Sequence, residues 1–372
     1  MTPAFRLLAA CCRWPDDERR AEAVRAAAAG FTEWDALATL ADRHRVEPMV
    51  VHGLNAAGIQ VPPPIAAAAE VARADTLRDL GETLRIAAAL DAAVITHRFL
   101  KGIPLGVAAY GTPTLKRSWD IDLLVLPGQV VAAADCLGAL GYQPTMPPRP
   151  FNRTEYERWS VVSKEAEFRS VRGTIVELHW RVSDHPQLLP DIDAATTARA
   201  IPLFGERIVM ALADGPTLAY LAVHGGAHAW FRLKWIADFN ALLVSLEPDA
   251  RAVALADAAA RGVGNALTSA IDLSGRLFRN EPPRADLPAR QLSGLSRAAL
   301  LADTDRDSAS LASRARWRLG SGAGFRWTEL RIRLRGTLDR IEHPLPSRLT
   351  GLFPWLRVPF WLHRRLKRFS KR

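Results

Sequence analysis

The stretch LKRSWDIDLLV, residues 115–125, sets two aspartates two positions apart, just ahead of an unbroken aliphatic run. A short aliphatic run bounded by polar residues predicts a buried β-strand, and side chains of a strand alternate between its faces. Asp120 and Asp122 therefore share a face, where two unpaired carboxylates would repel each other. A divalent cation such as Mg²⁺, which takes carboxylate oxygens together with substrate phosphates, explains the pair. The open alternative is a pair of solvated strand-end charges matched by Lys116 and Arg117.

A glycine turn precedes this strand. The segment LKG, residues 100–102, is typical of a strand end that leads through a glycine into a short helix. Glycine leaves the backbone amides at a helix N-terminus open, and such amides can receive a phosphate. Gly102 is therefore a candidate phosphate-binding residue, with Lys101 beside it.

A later strand supplies another acidic side chain. The segment GTIVELHW, residues 173–180, alternates so that Ile175, Glu177 and His179 share one face. Glu177 is thus a carboxylate in an otherwise apolar strand, and it is a candidate partner for the two aspartates. A histidine beside a tryptophan at a strand end is more often structural, but its position makes His179 a candidate supporting partner of Glu177.

Composition and periodicity predict an α+β, predominantly helical fold. The chain has 372 residues, 49% hydrophobic and 24% charged, so it can bury a substantial core. Helical patterns dominate the first quarter, strand and helix patterns alternate from about residue 91, and helical patterns return after about residue 205. We therefore predict a small mixed-sheet core flanked by N- and C-terminal helical regions. The predicted boundaries are 1–90 for the N-terminal helical region, 91–205 for the core, 206–330 for the C-terminal helical region and 331–372 for a basic aromatic tail.

Cysteine usage and hydropathy narrow the cellular setting. Only three cysteines occur, and their spacing forms neither a disulfide framework nor a zinc site. The N-terminal apolar run is closed by Trp14, Pro15 and charged residues, unlike a secretory signal. No apolar stretch approaches the roughly 20 residues that cross a bilayer. We therefore expect a cytoplasmic protein that does not span the membrane.

The excess positive charge lies at the C-terminus. The formal net charge is +10, and residues 331–372 hold 12 Lys or Arg against 2 Asp or Glu. Aromatic residues lie among these basic ones, which suits peripheral binding to an anionic membrane on its inner face. Two alternatives stay open: the tail packs its tryptophans onto the body, or it binds nucleic acid. We rank nucleic acid last, because Pro354 and Pro359 break any long groove-reading helix.

An ordered set of motifs resembles a known family. The segments are FLKGIPLGVAAYGTPTLKRSWDIDLLV, GY, VELHW and HGGAHAWFRLKWIADF. Over roughly residues 35–245 they look like the uncharacterised bacterial nucleotidyltransferase family of the polymerase-β superfamily. The resemblance implies a small catalytic core of mixed sheet and helices between helical segments. It also implies a glycine motif for nucleotide phosphates, a D-x-D pair for metals and a third carboxylate on a later strand.

The resemblance assigns catalytic and metal-binding roles to three carboxylates. It implies that Asp120, Asp122 and Glu177 hold Mg²⁺, with two ions in the site. Either Glu177 or a metal-bound hydroxide would help to deprotonate the acceptor.

The candidate nucleotide-binding residues are Lys101, Gly102, Arg117 and His228. The resemblance implies phosphate contacts for Gly102 and Arg117, and Lys101 stands beside Gly102 in the sequence. His228 is included on its position, from which it would face the nucleotide from the helical side of the cleft.

His224 and His228 admit two interpretations. On a helix they lie at positions i and i+4. The same stripe continues through Phe231, Trp235 and Asp238. The intervening Gly-Gly-Ala lacks the glutamate of a metalloprotease helix, which disfavours a zinc protease. A mixed histidine and aromatic stripe is usually packing; the alternative is that the histidines, with Arg232 or Lys234, face the nucleotide.

We therefore expect an Mg²⁺-dependent nucleotidyltransferase that moves a nucleoside monophosphate from an NTP, with ATP the expected donor, to an unidentified acceptor. Relatives that the chain resembles suggest surface-polysaccharide or modified-peptide biosynthesis. The alternatives are a non-catalytic descendant that binds a nucleotide or a partner, and an adaptor that acts through its tail on membrane or RNA.

Overall fold

The computed structural model describes residues 1–279, 290–302 and 304–334, with a few single positions between 349 and 360. Over these residues the chain forms 15 α-helices and one seven-stranded mixed sheet. The fold is α+β and predominantly helical, as the sequence predicts. Most of the tail predicted at 331–372 lies outside the described residues.

The sheet combines parallel and antiparallel neighbours. Its strands are β1 His97–Phe99, β2 Asp120–Val125, β3 Tyr142–Met146, β4 Glu165–Ser170, β5 Ile175–His179, β6 Ala198–Phe204 and β7 Arg207–Leu212. Their order across the sheet is β3-β4-β5-β2-β1-β7-β6. The pairs β2/β5 and β1/β7 are parallel, and the other neighbours are antiparallel. The predicted hairpin of β4 and β5 is confirmed, with Gly173 in its turn at φ 87°.

The sheet continues past the boundary that we predicted at residue 205. Strand β7 begins at Arg207 and pairs with both β6 and β1. The helical pattern therefore returns only at Asp214, where the next helix begins.

Five helices precede the sheet. They are α1 Pro3–Cys11, α2 Glu18–Ala28, α3 Trp34–His44, α4 Glu47–Ala56 and α5 Pro63–Ala92. The long α5 begins where extended Pro62 leads into Pro63, because proline is tolerated in the first helical turn. Buried acidic residues on α5 fasten it to the sheet: Tyr142 donates a 2.6 Å hydrogen bond to Glu82, and Thr174 donates a 3.2 Å bond to Asp79.

Three helices connect the strands, and seven follow the sheet in the described part of the chain. The connecting helices are α6 Gly102–Tyr110, α7 Val130–Ala139 and α8 Arg153–Ser160. The later ones are α9 Asp214–Ala227, α10 Leu233–Ser245, α11 Pro248–Ala260, α12 Gly264–Ser274, α13 Arg290–Leu300, α14 Asp305–Arg316 and α15 Gly322–Leu334.

Two hydrophobic cores hold these elements together. In the smaller core, apolar residues of α5 such as Ile86 pack against the sheet residues Leu123 and Val176. The larger core joins the two helical regions, since residues such as Leu37 and Phe239 belong to the same cluster. The N- and C-terminal helical regions therefore form one packed body beside the sheet, and burial of their shared apolar surface stabilises both.

The stripe that runs from His224 to Asp238 does not lie on one helix, so this prediction is wrong. Helix α9 ends at Ala227 and α10 begins at Leu233. Between them Ala229 and Trp230 adopt left-handed backbone conformations, with φ 49° and 52°. The buried Trp230 ring folds back onto Gly225, and the Trp230 amide donates to the Gly225 carbonyl at 2.8 Å. Packing of this indole on a bare glycine therefore decides the turn.

Within the described residues, each helix is too short or too polar to cross a lipid bilayer.

Candidate active site

The acidic residues meet because two strands run side by side. Strands β2 and β5 are parallel neighbours, and their register sets Asp122 opposite Glu177. Side chains two positions apart share a face, so His179 projects from the face that carries Glu177. The alternation of the sequence predicts this shared face, whereas the strand pairing brings the two segments together.

Asp122, Glu177 and His179 form a group that could hold a metal ion. One ligand atom from each lies within 4.8 Å of the others. His179 Nε2 is 3.4 Å from Asp122 Oδ1 and 3.4 Å from Glu177 Oε2. Among the described residues, Asp122 Oδ2 and His179 Nε2 are buried and have no hydrogen-bond partner. Buried polar atoms normally have a hydrogen-bond partner. These atoms without one are suited to bind a cation.

Asp120 lies next to this group without belonging to it. Its partner in the strand register is Ile175, and its side chain is partly exposed. Burial and the neighbouring Asp122 carboxylate raise the pKa of Asp120. Two carboxylates in this arrangement resist being charged together, which is the repulsion that the D-x-D spacing predicts.

Lys101 neutralises Asp122. Its Nζ lies 2.8 Å from Asp122 Oδ1, and 5.9 Å from the centre of the Tyr220 ring. Burial opposes the charge on Lys101, but the Asp122 carboxylate raises the lysine pKa well above its usual value. Burial likewise opposes the charge of Asp122, yet Lys101 and His179 hold the pKa of that carboxyl well below its usual range. Both groups are therefore charged at neutral pH.

Gly102 begins helix α6 with a left-handed backbone at φ 66°. A Cβ at this position would lie 3.7 Å from the Asp120 carbonyl oxygen, which is an ordinary contact. The conformation therefore calls for glycine, because other residues reach positive φ only with strain. Among the described residues, no side chain caps the amides of the first turn. The expected glycine turn into a helix is thus present beside Lys101.

A second carboxylate orients His179. Its Nδ1 lies 3.1 Å from Glu165 Oε2, and Lys164 forms an ion pair with the same carboxylate. Such a contact on one imidazole nitrogen fixes which nitrogen faces a metal. The sequence interpretation treated His179 as a supporting partner and missed Glu165 and Lys164. The predicted hairpin is the sequence feature that could have identified Glu165, because Glu165 pairs directly with His179 in the hairpin register.

Arg117 points away from this group and toward the N-terminal helices. Its guanidinium is 3.1 Å from Asp42 Oδ1 and also pairs with the buried Glu47. In the sequence Arg117 lies three residues before Asp120. Its partners Asp42 and Glu47, by contrast, lie about 70 positions upstream of it. Arg117 as a phosphate contact stays a prediction.

His224 and His228 lie close together despite the break after α9. Their ring centres are 5.0 Å apart, and both rings contact Trp235. They line a small cavity of about 80 Å³ with Lys164 and Arg316. Burial lowers the pKa of His224, and it lowers that of His228 to about 3. Both imidazoles are therefore neutral at physiological pH, and His228 as a nucleotide contact stays a prediction.

Comparison with known proteins identifies one relation. The model of a family described as an uncharacterised nucleotidyltransferase matches residues 31–279. That span contains the whole sheet and every residue of the group described above. A search of curated proteins gave no match.

Proposed function

Because the chain belongs to this uncharacterised nucleotidyltransferase family, we propose that it is a polymerase-β-like enzyme that uses Mg²⁺ to move a nucleoside monophosphate from an NTP, specifically ATP, onto an acceptor hydroxyl, amine or phosphate. The observation that carries the proposal is the buried group of Asp122, Glu177 and His179, whose atoms face one another on adjacent parallel strands.

The donor set supports a divalent cation. Asp122 and Glu177 would hold the ion, with Asp120 as the neighbouring carboxylate. When bound, the ion supplies neutralisation of phosphate charge and alignment of the attacking and leaving oxygens. An imidazole ligand is less typical of Mg²⁺ than carboxylates are, so Mn²⁺ and Zn²⁺ belong in the assay beside Mg²⁺.

The residues around the group would bind and orient the nucleotide. The backbone amides of Gly102 and Ile103 lie at the N-terminus of α6, where partial positive charge favours a phosphate, whereas Pro104 has no N–H. Lys101 already lies beside Asp122, and its ammonium could also reach a phosphate bound at this helix end. Together they would hold the triphosphate with its charge next to the carboxylates.

Glu177 is the more exposed carboxylate of the buried group, so an acceptor can reach it more easily than Asp122. A quarter of its side chain is exposed, whereas 1% of Asp122 is. We therefore assign Glu177 the role of accepting the acceptor proton as the acceptor oxygen or nitrogen bonds to the α-phosphorus and pyrophosphate leaves.

The test is incubation with each of four NTPs labelled at the α-phosphate, a divalent cation and cell extract, followed by mass spectrometry of labelled species. Asp122→Asn should lower transfer by orders of magnitude, because it removes a charge that binds the cation. Asp135→Asn, an exposed helical aspartate, is the matched control and should leave transfer unchanged. Equal transfer by the wild-type protein and Asp122→Asn would refute the assignment.

One observation favours a second candidate, a non-catalytic protein that binds a nucleotide. Lys101 already neutralises Asp122, so the fold does not need a cation to tolerate that buried carboxylate. Absence of pyrophosphate release with every NTP, cation and extract, together with measurable ATP binding, would favour this candidate.

The C-terminal tail supports a further proposal about location. We propose a cytoplasmic protein bound to the inner face of the membrane through residues 346–372, acting in surface-polysaccharide or modified-peptide biosynthesis. The support is the composition of the tail, since 331–372 carry 12 Lys or Arg against 2 Asp or Glu.

A further inference from the structure

A second concave surface, which we call the arginine cleft, lies beside the start of β2. It is a cavity of about 400 Å³, a size typical of ligand sites. Its lining includes Trp119 and four arginines, Arg43, Arg45, Arg117 and Arg232. Trp119 is 51% exposed and directly precedes Asp120 in the chain. The cleft thus begins one residue from the carboxylates of the candidate active site.

Three of the four arginines have acidic partners. Arg117 pairs with Asp42 and Glu47. Arg43 and Arg232 share Asp305, at 3.8 and 2.8 Å. These contacts hold three guanidiniums in place and neutralise them in part. The lining of the cleft itself has four arginines and two carboxylates, Asp42 and Asp305.

Arg45 is the arginine that has no acidic partner among the described residues. Its guanidinium carbon lies 4.7 Å from the centre of the Trp119 ring, and that of Arg117 lies 5.5 Å from the same ring. The Arg45 backbone is fixed at the end of α3, with φ 58° and its amide 3.0 Å from the Asp42 carbonyl. A stacked guanidinium keeps its planar set of N–H donors available for an anion.

The electrostatics of the cleft agree with this geometry. Burial and the repulsion from Arg232 lower the pKa of Arg45 to about 10, while Asp120 acts in the opposite direction. Arg45 therefore stays charged at neutral pH, in surroundings that are already positive. The Lys234 Nζ donates to the Arg117 carbonyl at 3.2 Å, but burial and the neighbouring Lys116 lower the pKa of Lys234 to about 7, so this lysine carries only part of a positive charge at neutral pH.

We propose that the arginine cleft binds a phosphate group of a substrate, with Arg45 as the main contact and the Trp119 ring as the surface that orients it. A planar guanidinium can donate two parallel hydrogen bonds to phosphate oxygens. Arg45 is the arginine of this cleft whose N–H groups are not paired with a carboxylate among the described residues. The proposal deepens the proposed function and rests on it for the reaction that uses the phosphate. Two sources share this chemistry: the triphosphate of the NTP and a phosphorylated acceptor.

The test is isothermal titration of the full-length protein with inorganic pyrophosphate at 0.15 M ionic strength. Arg45→Gln should weaken binding about 10-fold or more, because a charge-assisted paired contact is lost. Arg158→Gln, which removes an exposed arginine on α8, is the charge-matched control and should bind like the wild-type protein. Equal affinity of all three proteins would overturn the proposal.

Two further variants separate binding from folding. Arg45→Lys keeps the charge but loses the planar donor set, so its affinity should fall between those of the wild-type protein and Arg45→Gln. Trp119→Leu alters an exposed side chain and should also weaken binding. If Arg45→Gln fails to fold, wild-type affinity in both of these variants would overturn the proposal.

Repeating the titration with saturating α,β-methylene ATP identifies the source of the phosphate. Loss of the Arg45-dependent binding would assign the cleft to the NTP, and its persistence would assign it to a phosphorylated acceptor. Arg45-dependent pyrophosphate binding together with undetectable nucleotidyl transfer by the wild-type protein would refute the proposed function and leave the phosphate site standing.

Discussion

The turn between α9 and α10 offers a stability prediction that depends on one contact. Gly225 has no side chain, and a Cβ built on it would lie 2.2, 2.3 and 2.4 Å from three atoms of the Trp230 ring. Normal carbon contacts are about 3.5–4.0 Å. The indole is fully buried and its backbone is left-handed, so it cannot easily rotate away. Gly225→Ala must therefore displace the ring or separate the two helices.

The expected cost follows from two opposing effects. Overpacking a core costs about 1–3 kcal/mol of stability. Because the added Cβ would overlap three atoms of a rigid ring by more than 1 Å, we take the upper end of this range, about 3 kcal/mol. Alanine in place of glycine within a helix returns about 1 kcal/mol. We therefore expect Gly225→Ala to lower the free energy of unfolding by about 2 kcal/mol.

The assay is urea unfolding followed by circular dichroism, with Gly138→Ala as the control. Gly138 also lies within a helix, but nothing would lie within 4 Å of its added Cβ, so this variant should gain up to about 1 kcal/mol. In Gly225→Ala combined with Trp230→Leu, the smaller side chain should relieve the clash, and the combined loss should be less than the sum of the single losses. An unfolding free energy at or above wild type for Gly225→Ala would refute the reasoning.

Three other predictions concern charge. Burial lowers the pKa of His44 to about 3, below the unfolded value of about 6.5. The stability that neutral His44 contributes is therefore fully present above pH 6.5, and about 2 kcal/mol of it is lost by pH 5. Urea unfolding at pH 7 and pH 5 should show a smaller loss of stability for His44→Asn than for the wild-type protein. Lys101→Met should cost about 3–5 kcal/mol because it leaves Asp122 buried and unpaired, and thermal unfolding should show a smaller loss when Asp122→Asn is added. Deletion of 346–372 should abolish cosedimentation with anionic vesicles at low salt and leave nucleotidyl transfer unchanged; equal cosedimentation of both proteins would count against membrane binding by the tail.

Local patterns in the sequence predict much of the candidate site. The aliphatic run after Asp122 identifies a buried strand, and alternation places Glu177 and His179 on one face of another strand. These features depend on neighbours a few positions away. They do not include the parallel register that sets Asp122 opposite Glu177, because strand pairing is decided by the packing of the whole sheet.

Two features that the sequence did not predict are decided by side-chain contacts rather than by local helix or strand preference. Arg117 lies close to the aspartates in the chain, but its direction is set by Asp42 and Glu47 on the N-terminal helices. The end of α9 is set by the packing of Trp230 on Gly225, and the helical stripe in the sequence continues unbroken across it. In both cases a specific side-chain contact, distant in sequence for Arg117 and five positions away for Trp230, overrides a local preference.

Sequence spacing and the fold together explain why two like charges stand at the start of a buried strand. Spacing predicts that Asp120 and Asp122 repel each other, and burial together with the Asp122 carboxylate raises the pKa of Asp120. Spacing alone suggests that a bound cation neutralises the two carboxylates. The fold already neutralises one of them, because the turn before α6 brings the Lys101 ammonium to 2.8 Å from Asp122. This pairing neutralises the Asp122 charge without a metal, while Asp122 Oδ2 and His179 Nε2 have no hydrogen-bond partner in the part of the chain that the structure describes. A metal or nucleotide phosphate that binds Asp122 must therefore share that carboxylate with Lys101 or displace the ammonium from it.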